Sequence, residues 1–220
     1  MKALVFDAYG TLFDVFSVRA MCDRLFPGFG DVLAQRWRAK QIQYTLLRSL
    51  MGRYRDFWGL TEDALVHSAK ALQLDLTAPS RAQLMESYLH LDSFPDVKPG
   101  LEQLAGLGLR LAILSNGTGR MLSAVVERAG IRDLLDAIIS VDYVNIFKPS
   151  PHVYRLTTIY LNVDGSETGF VSSNNWDIHG AGSAGLRTFW IQRSGDEAPE
   201  ELGYPATHVV GAITELAGRL

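Results

Sequence analysis

Asp7 ends a short apolar run, "KALVF", and the small-residue turn "AYGT" follows at once. A carboxylate at the mouth of a buried strand either caps the turn or attacks a substrate. The surroundings favour attack. Thr11, four residues on, carries a hydroxyl able to hold one carboxylate oxygen while the other stays free. Other polar groups sit where a strand should end. Ser115 and Asn116 close "LRLAILSN" with "GTG" following, Lys148 stands in "FKPSP", and Ser172, Asn174 and Asp177 fall within "VSSNNWD". Ser115, with backbone N–H groups at the start of a helix, makes an anion cradle. Cys22, in the helical stretch "RAMCDRLF", is the one cysteine and reads as a packing residue rather than a nucleophile.

These groups need a scaffold that brings strand ends together. Strand candidates are 3–6, 109–115, 137–141, 169–173 and 188–192, near-continuously apolar as parallel strands covered on both faces must be. Helical patterns lie at 119–129, 151–161, 176–184 and 211–219. This alternation predicts an α/β fold, a doubly wound, mainly parallel Rossmann-like sheet. Residues 16–92 break the rhythm, reading as helices 17–26, 30–50, 61–73 and 80–91, with "SFPDVKPG" (93–100) as a linker back. The expectation is a core of 1–15 and 93–220 with a helical cap, 16–92, inserted after the first strand. Ligands of open parallel sheets bind beyond the carboxyl ends of the strands. Asp7, Ser115–Asn116, Lys148 and 172–177 should therefore share one crevice, over which the insert can close.

Composition narrows the partners. Of 220 residues, 47% are hydrophobic and 20% charged, with a formal net charge of −3. That allows a sizeable core and offers no basic field for nucleic acid. No apolar run approaches the ~20 residues of a membrane span, and the start does not read as a signal peptide. A single cysteine suits a reducing cytoplasm.

Taken together, "DAYGTLFDV", "ILSNG", "KPSPHVY" and "VSSNNWD", with "WRAKQ" at 37–41, resemble the haloacid dehalogenase superfamily, in its L-2-haloacid dehalogenase branch. The likeness spans nearly the whole chain. It implies hydrolysis of (S)-2-haloacids to (R)-2-hydroxy acids and halide. Asp7 would be the nucleophile, Lys148 its partner, and Arg38 the cap residue that reaches the halide. Guanidinium suits that task, being delocalised, weakly hydrated and always charged. Arg36, two places back, points to another helix face. The resemblance also implies that Ser115 and Asn116 hold the substrate carboxylate. Ser172, Asn174 and Asp177 would hold Lys148 and the hydrolytic water, with Tyr154 near the active carboxylate. Tyr9, Ile42, Phe57 and Trp176 are candidates for the apolar wall of the pocket.

Two departures from the commoner phosphatases of the superfamily point the same way. Their proton-donating acid two places after the nucleophile is Tyr9 here, and halide needs no proton on leaving. Their acid four places before the last motif aspartate is Ser173. Only Asp7 and Asp177 remain as carboxylate ligands, so the expectation is no metal and no other cofactor. The partners expected are a small 2-haloalkanoic acid, water and halide, with no nucleic acid and no membrane. Family members commonly pair through the cap, which implies a homodimer. The rival readings are a magnesium-dependent phosphatase of the same superfamily and a non-catalytic carboxylate-binding protein.

Overall fold

The computed structural model describes residues 1–195 and 198–220. Its centre is a parallel sheet in the order β5-β4-β1-β6-β7-β8. The strands are β1 (Ala3–Phe6), β4 (Arg110–Ser115), β5 (Ala137–Ser140), β6 (Thr168–Ser172), β7 (Arg187–Ile191) and β8 (His208–Val210). β1 is central: Ala3 pairs with Arg110 on one side and with Thr168 on the other. Its residues Ala3, Leu4, Val5 and Phe6 are fully buried, as the unbroken apolar run requires. The chain leaves β1 to build outward on both sides. The ends of β1, β4 and β6 therefore face one crevice at a topological switch point.

Between β1 and β4 lies a helical insert. It comprises α1 (Arg19–Leu25), α2 (Gly30–Leu50), α3 (Phe57–Ala71) and α4 (Ala78–Ser87). A two-strand ribbon closes its base, β2 (Phe13–Asp14) running antiparallel to β3 (Asp92–Ser93). α3 starts four residues before the position its apolar pattern suggests, because the Asp56 side chain caps it by accepting from the Gly59 N–H at 2.7 Å. The insert also bonds to the core. Tyr54 donates to Asp142 Oδ1 at 2.5 Å, and the Phe147 N–H donates to Ser49 Oγ at 3.1 Å.

The stretch 93–100 is not a linker. Asp92–Ser93 is a strand, and Val97 opens α5 (Val97–Gly106). Pro99 falls in the first turn, where a missing N–H costs nothing. Gly100 is a packing residue rather than a breaker: a Cβ there would lie 2.4 Å from Ile213 Cγ2. The remaining core helices are α6 (Gly119–Ala129), α7 (Pro151–Leu161) and α8 (Asn175–Ser183). The last segment, read as an α-helix over 211–219, is a 3-10 helix at Ile213–Arg219 that follows the unpredicted β8. Cys22 is buried in the insert's core, and burial pushes its thiol up to about 12. Among the described residues, no helix is long and apolar enough to cross a membrane.

Candidate active site

Asp7 follows β1 directly, and its backbone N–H still donates to the Val171 carbonyl of β6, so the carboxylate inherits the rigidity of the sheet. The turn behind it needs Gly10, whose φ of +93° lies in the left-handed region open to glycine. Oδ2 of Asp7 accepts from Thr11 Oγ1 at 3.1 Å and from Asn174 Nδ2 at 2.8 Å. The other oxygen, Oδ1, accepts from Lys148 Nζ at 3.0 Å, the partner that the family resemblance implied. A carboxylate oxygen has two acceptor sites, so Oδ1, with one bond, keeps a lone pair.

Lys148 stands between two acids. Its ammonium also donates to Asp177 Oδ2 at 3.0 Å, and its side chain is 1% exposed. Burial alone would depress its pKa, but Asp177 and Asp7 outweigh that and hold it above the ordinary lysine value. Asp177, on the first turn of α8, is fully buried, and burial pushes its carboxyl up to about 6 against the pull of Lys148. Both of its oxygens have further donors. Tyr154 donates to Oδ1 at 2.6 Å, and Ser172 donates to Oδ2 at 3.1 Å. The Lys148 backbone N–H is anchored by Asn116 Oδ1 at 3.0 Å. Ser115 Oγ accepts from the Gly117 N–H, and Thr118 caps α6. Ser115 and Asn116 therefore shape the turn without closing the helix end themselves.

Arg38 comes down from α2. Nη2 donates to the Tyr9 carbonyl at 3.0 Å and to Asn174 Oδ1 at 3.4 Å, and Nη1 donates to Gln41 Oε1 at 2.8 Å. All three acceptors are neutral, so the guanidinium has no carboxylate as a hydrogen-bond partner. Desolvation lowers its pKa, though an arginine stays protonated across the working range. Asn174 links nucleophile and cation, giving its N–H to Asp7 and its oxygen to Arg38. Arg36 is exposed on a surface groove elsewhere.

Asp7, Tyr9, Arg38, Ile42, Phe57, Ser115, Asn116, Asn174 and Trp176 line one small cavity of about 10 Å³. Thr11, Lys148, Tyr154, Ser172 and Asp177 form a layer behind Asp7. The predicted residues are thus brought together in two tiers, one facing the cavity and one supporting it. Tyr9 packs 5.6 Å from the ring of Phe57 and 6.5 Å from that of Tyr88. Burial pushes its phenol far above the ordinary value. Among the described residues its hydroxyl is the one buried side-chain polar atom without a partner.

Three contributors were not singled out from the sequence. Ser173, noted there only as a missing acid, ties the nucleophile loop: its N–H donates to Thr11 Oγ1 at 2.8 Å and its hydroxyl to the Gly10 carbonyl at 2.7 Å. Arg193, after β7, donates to the Thr11 carbonyl at 2.7 Å and to Asp96 at 2.7 Å. Gln41 holds Arg38. Its only signal was its place in "WRAKQ".

Magnesium fits poorly here. The space shared by Asp7 and Asp177 is taken by the Lys148 ammonium, and those are the two carboxylates a cation would need. Among the described residues no cluster of His, Cys, Asp or Glu has a metal-binding arrangement.

Comparison with known proteins agrees with this geometry. The family model for haloacid dehalogenase-like hydrolases matches residues 1–185. An (S)-2-haloacid dehalogenase of Pseudomonas sp. (strain YL) is 48% identical over 203 residues, covering 92% of this chain and 87% of the relative. A solved L-2-haloacid dehalogenase superposes with a TM-score of 0.97 at 43% identity, covering 100% of this chain and 98% of that one. The Xanthobacter autotrophicus enzyme, solved with chloropropionic acid covalently bound, gives a TM-score of 0.91 at 40% identity over 98% of this chain and 96% of its own. The chain belongs to the haloacid dehalogenase-like hydrolases, within their L-2-haloacid dehalogenase branch.

Proposed function

We infer that this chain hydrolyses (S)-2-haloacids to (R)-2-hydroxy acids and halide through an ester on Asp7. One observation carries the reading. Asp7, held beside Lys148, and Arg38, a cation with no carboxylate hydrogen-bond partner, line the same cavity and are joined by Asn174. A lone pair of Asp7 attacks the α-carbon from the side opposite the halogen. The carbon–oxygen bond forms as the carbon–halogen bond breaks, the electron pair leaves with halide, and the centre inverts. Arg38 takes the halide. Ser115 and Asn116 hold the substrate carboxylate, while Tyr9, Ile42, Phe57 and Trp176 enclose the carbon. Water then attacks the Asp7 carboxyl carbon and the acyl carbon–oxygen bond breaks; one water proton goes to the departing oxygen of the hydroxy acid and the other to solvent, restoring the carboxylate. The relative with chloropropionic acid covalently bound supports this two-step route.

Electrostatics supports a route without metal. A substrate carboxylate about 4 Å from Asp7 would be repelled by roughly 4 kcal/mol at an effective dielectric of ~20. Lys148 and Arg38 supply two fixed positive charges against Asp7 and Asp177, so the pocket is close to neutral before the anion enters. Asp177 sits behind Lys148 and acts through it, setting its position and charge. The cavity, at about 10 Å³, has room for about one water at most. Admitting a haloacid therefore requires residues 16–92, acting as a cap on the core of 1–15 and 93–220, to lift and close again. Closure brings Arg38 into place and excludes competing water from the first step.

We also place the enzyme in the cytoplasm, where a single cysteine stays reduced, and as a homodimer through the cap. Leu50 is 85% exposed and Met51 59%, and the nearby Leu46 and Leu47 extend that apolar face of α2. The activity is tested by halide release from each enantiomer of 2-chloropropionate with EDTA present. The expected result is release from the (S) form alone, undiminished by chelation, with no cleavage of p-nitrophenyl phosphate. Activity lost on chelation and restored by magnesium would favour the phosphatase reading. Carboxylate binding without halide release would favour a non-catalytic protein.

A further inference from the structure

The motif "WRAKQ" holds two residues that the mechanism above leaves idle, Trp37 and Gln41. They stand one helical turn apart on α2, both fully buried, and both face Thr61 of α3. Trp37 Nε1 donates to the Thr61 carbonyl at 2.8 Å, and Gln41 Nε2 donates to the Thr61 hydroxyl at 2.7 Å. The other end of Gln41 accepts from Arg38. An amide buried this completely carries a cost unless both its ends are satisfied.

The partners leave the amide one orientation. Thr61 Oγ1 lies 2.6 Å from the Phe57 carbonyl, which can only accept, so its single hydrogen goes there. The hydroxyl can then only accept from Gln41, which turns the Gln41 N–H₂ toward Thr61. Arg38 has donors and no acceptor, so it must meet the Gln41 oxygen. Reversing the amide would set N–H against N–H at Arg38 and would pull the Thr61 hydrogen off Phe57. The series from guanidinium to amide to hydroxyl to carbonyl is therefore polarised in one direction, and it ends on Phe57, itself a wall of the cavity.

We propose that Gln41 is a positioning residue for Arg38, with its own orientation set by Thr61, and that this pair fixes where the halide-accepting charge stands. The proposal rests on the dehalogenase reading. A neutral acceptor is essential to it. A carboxylate at position 41 would hold Arg38 equally well but would cancel the charge the halide needs. An amide directs the guanidinium without neutralising it, leaving two of its five N–H groups uncommitted for an anion. The other side of Arg38 is held the same way, by the Tyr9 carbonyl and the Asn174 amide oxygen.

The test compares chloride and bromide as leaving groups. Chloride is the poorer one and leans harder on Arg38. Gln41→Met keeps the volume and removes the acceptor. Thr61→Val keeps the shape and removes the group that orients the amide. Both are measured as purified full-length protein for kcat, KM and thermal midpoint with (S)-2-chloropropionate and (S)-2-bromopropionate, alongside wild type. The expected result for each is a fall in kcat of about tenfold or more on the chloro substrate. KM should change less than kcat, and the bromo-to-chloro ratio of kcat should rise severalfold. Arg38 remains in both, so bromide release should persist. A residue that only stabilises the helix pair would lower the thermal midpoint and leave that ratio at the wild-type value. An unchanged ratio in both variants overturns the proposal. Should Gln41→Met not fold, Thr61→Val decides by the same ratio. If wild type releases halide from neither substrate, the dehalogenase reading itself has failed, a result separable from wild-type turnover with unresponsive variants.

Discussion

Asp7→Asn abolishes halide release, with turnover of (S)-2-chloropropionate falling by about 10⁴ or more. The substitution keeps the size of the side chain and removes the nucleophile. It also spoils the local hydrogen bonding. Asp7 Oδ2 now accepts from Thr11 and Asn174, and an amide nitrogen at that point would set donor against donor. Lys148 keeps its bond to Asp177, and the β1 backbone does not depend on the carboxylate. The variant should therefore fold with an unchanged circular dichroism spectrum. Binding of the substrate anion should survive or improve, because one negative charge has left the pocket. Chloride release within tenfold of wild type would remove Asp7 from the chemistry.

Lys148→Met has the second largest effect, on both activity and stability. It leaves Asp7 and Asp177 without the ammonium that lies 3.0 Å from each. Breaking a buried ion pair by removing one partner costs about 3–5 kcal/mol. The loss depends on pH, with a definite sign. Asp177 is already pushed up to about 6 by burial despite Lys148, and losing that cation raises it further. A carboxyl whose folded pKa exceeds its unfolded value carries no penalty below the unfolded pKa and the full penalty above the folded one. The stability deficit against wild type should therefore be larger at pH 7.5 than at pH 5, measured by urea unfolding. Halide release should be lost at both values, since the ammonium that holds Asp7 is gone; at pH 7.5 an ionised Asp177 also leaves the pocket net negative against an anionic substrate. A deficit that shrinks as pH rises would contradict the assignment of Lys148 as the shared counter-ion.

The parts of this arrangement that the sequence exposes are those set by local pattern. β1, β4 and β6 are built on apolar runs that lead straight into Asp7, Ser115 and Ser172, so their mouths could be read as a site before any topology was known. The family resemblance pointed to Arg38, helical periodicity set Arg36 on another face, and Arg36 is exposed. What stayed hidden depends on partners distant in the chain. Pro99 and Gly100 look like breakers until Ile213 is seen packed on Gly100. β8 is three residues long with Val209 half in solvent, too little contrast for a strand pattern. Gln41 carries no chemistry of its own, and its meaning comes from Thr61, twenty residues away on another helix. Arg193 acts on the Thr11 carbonyl, a backbone atom that no side-chain motif can announce.

The central claim is that an aspartyl oxygen, rather than water, meets the substrate carbon. A single turnover in heavy-oxygen water, with enzyme in excess over (S)-2-chloropropionate, tests it most directly. Peptide mass spectrometry of the enzyme should find the label in the Asp7 carboxylate, and the lactate formed should carry ordinary oxygen taken from that side chain. Label in the lactate with none in the Asp7 peptide would mean that water attacks the carbon itself, and the covalent account would be wrong.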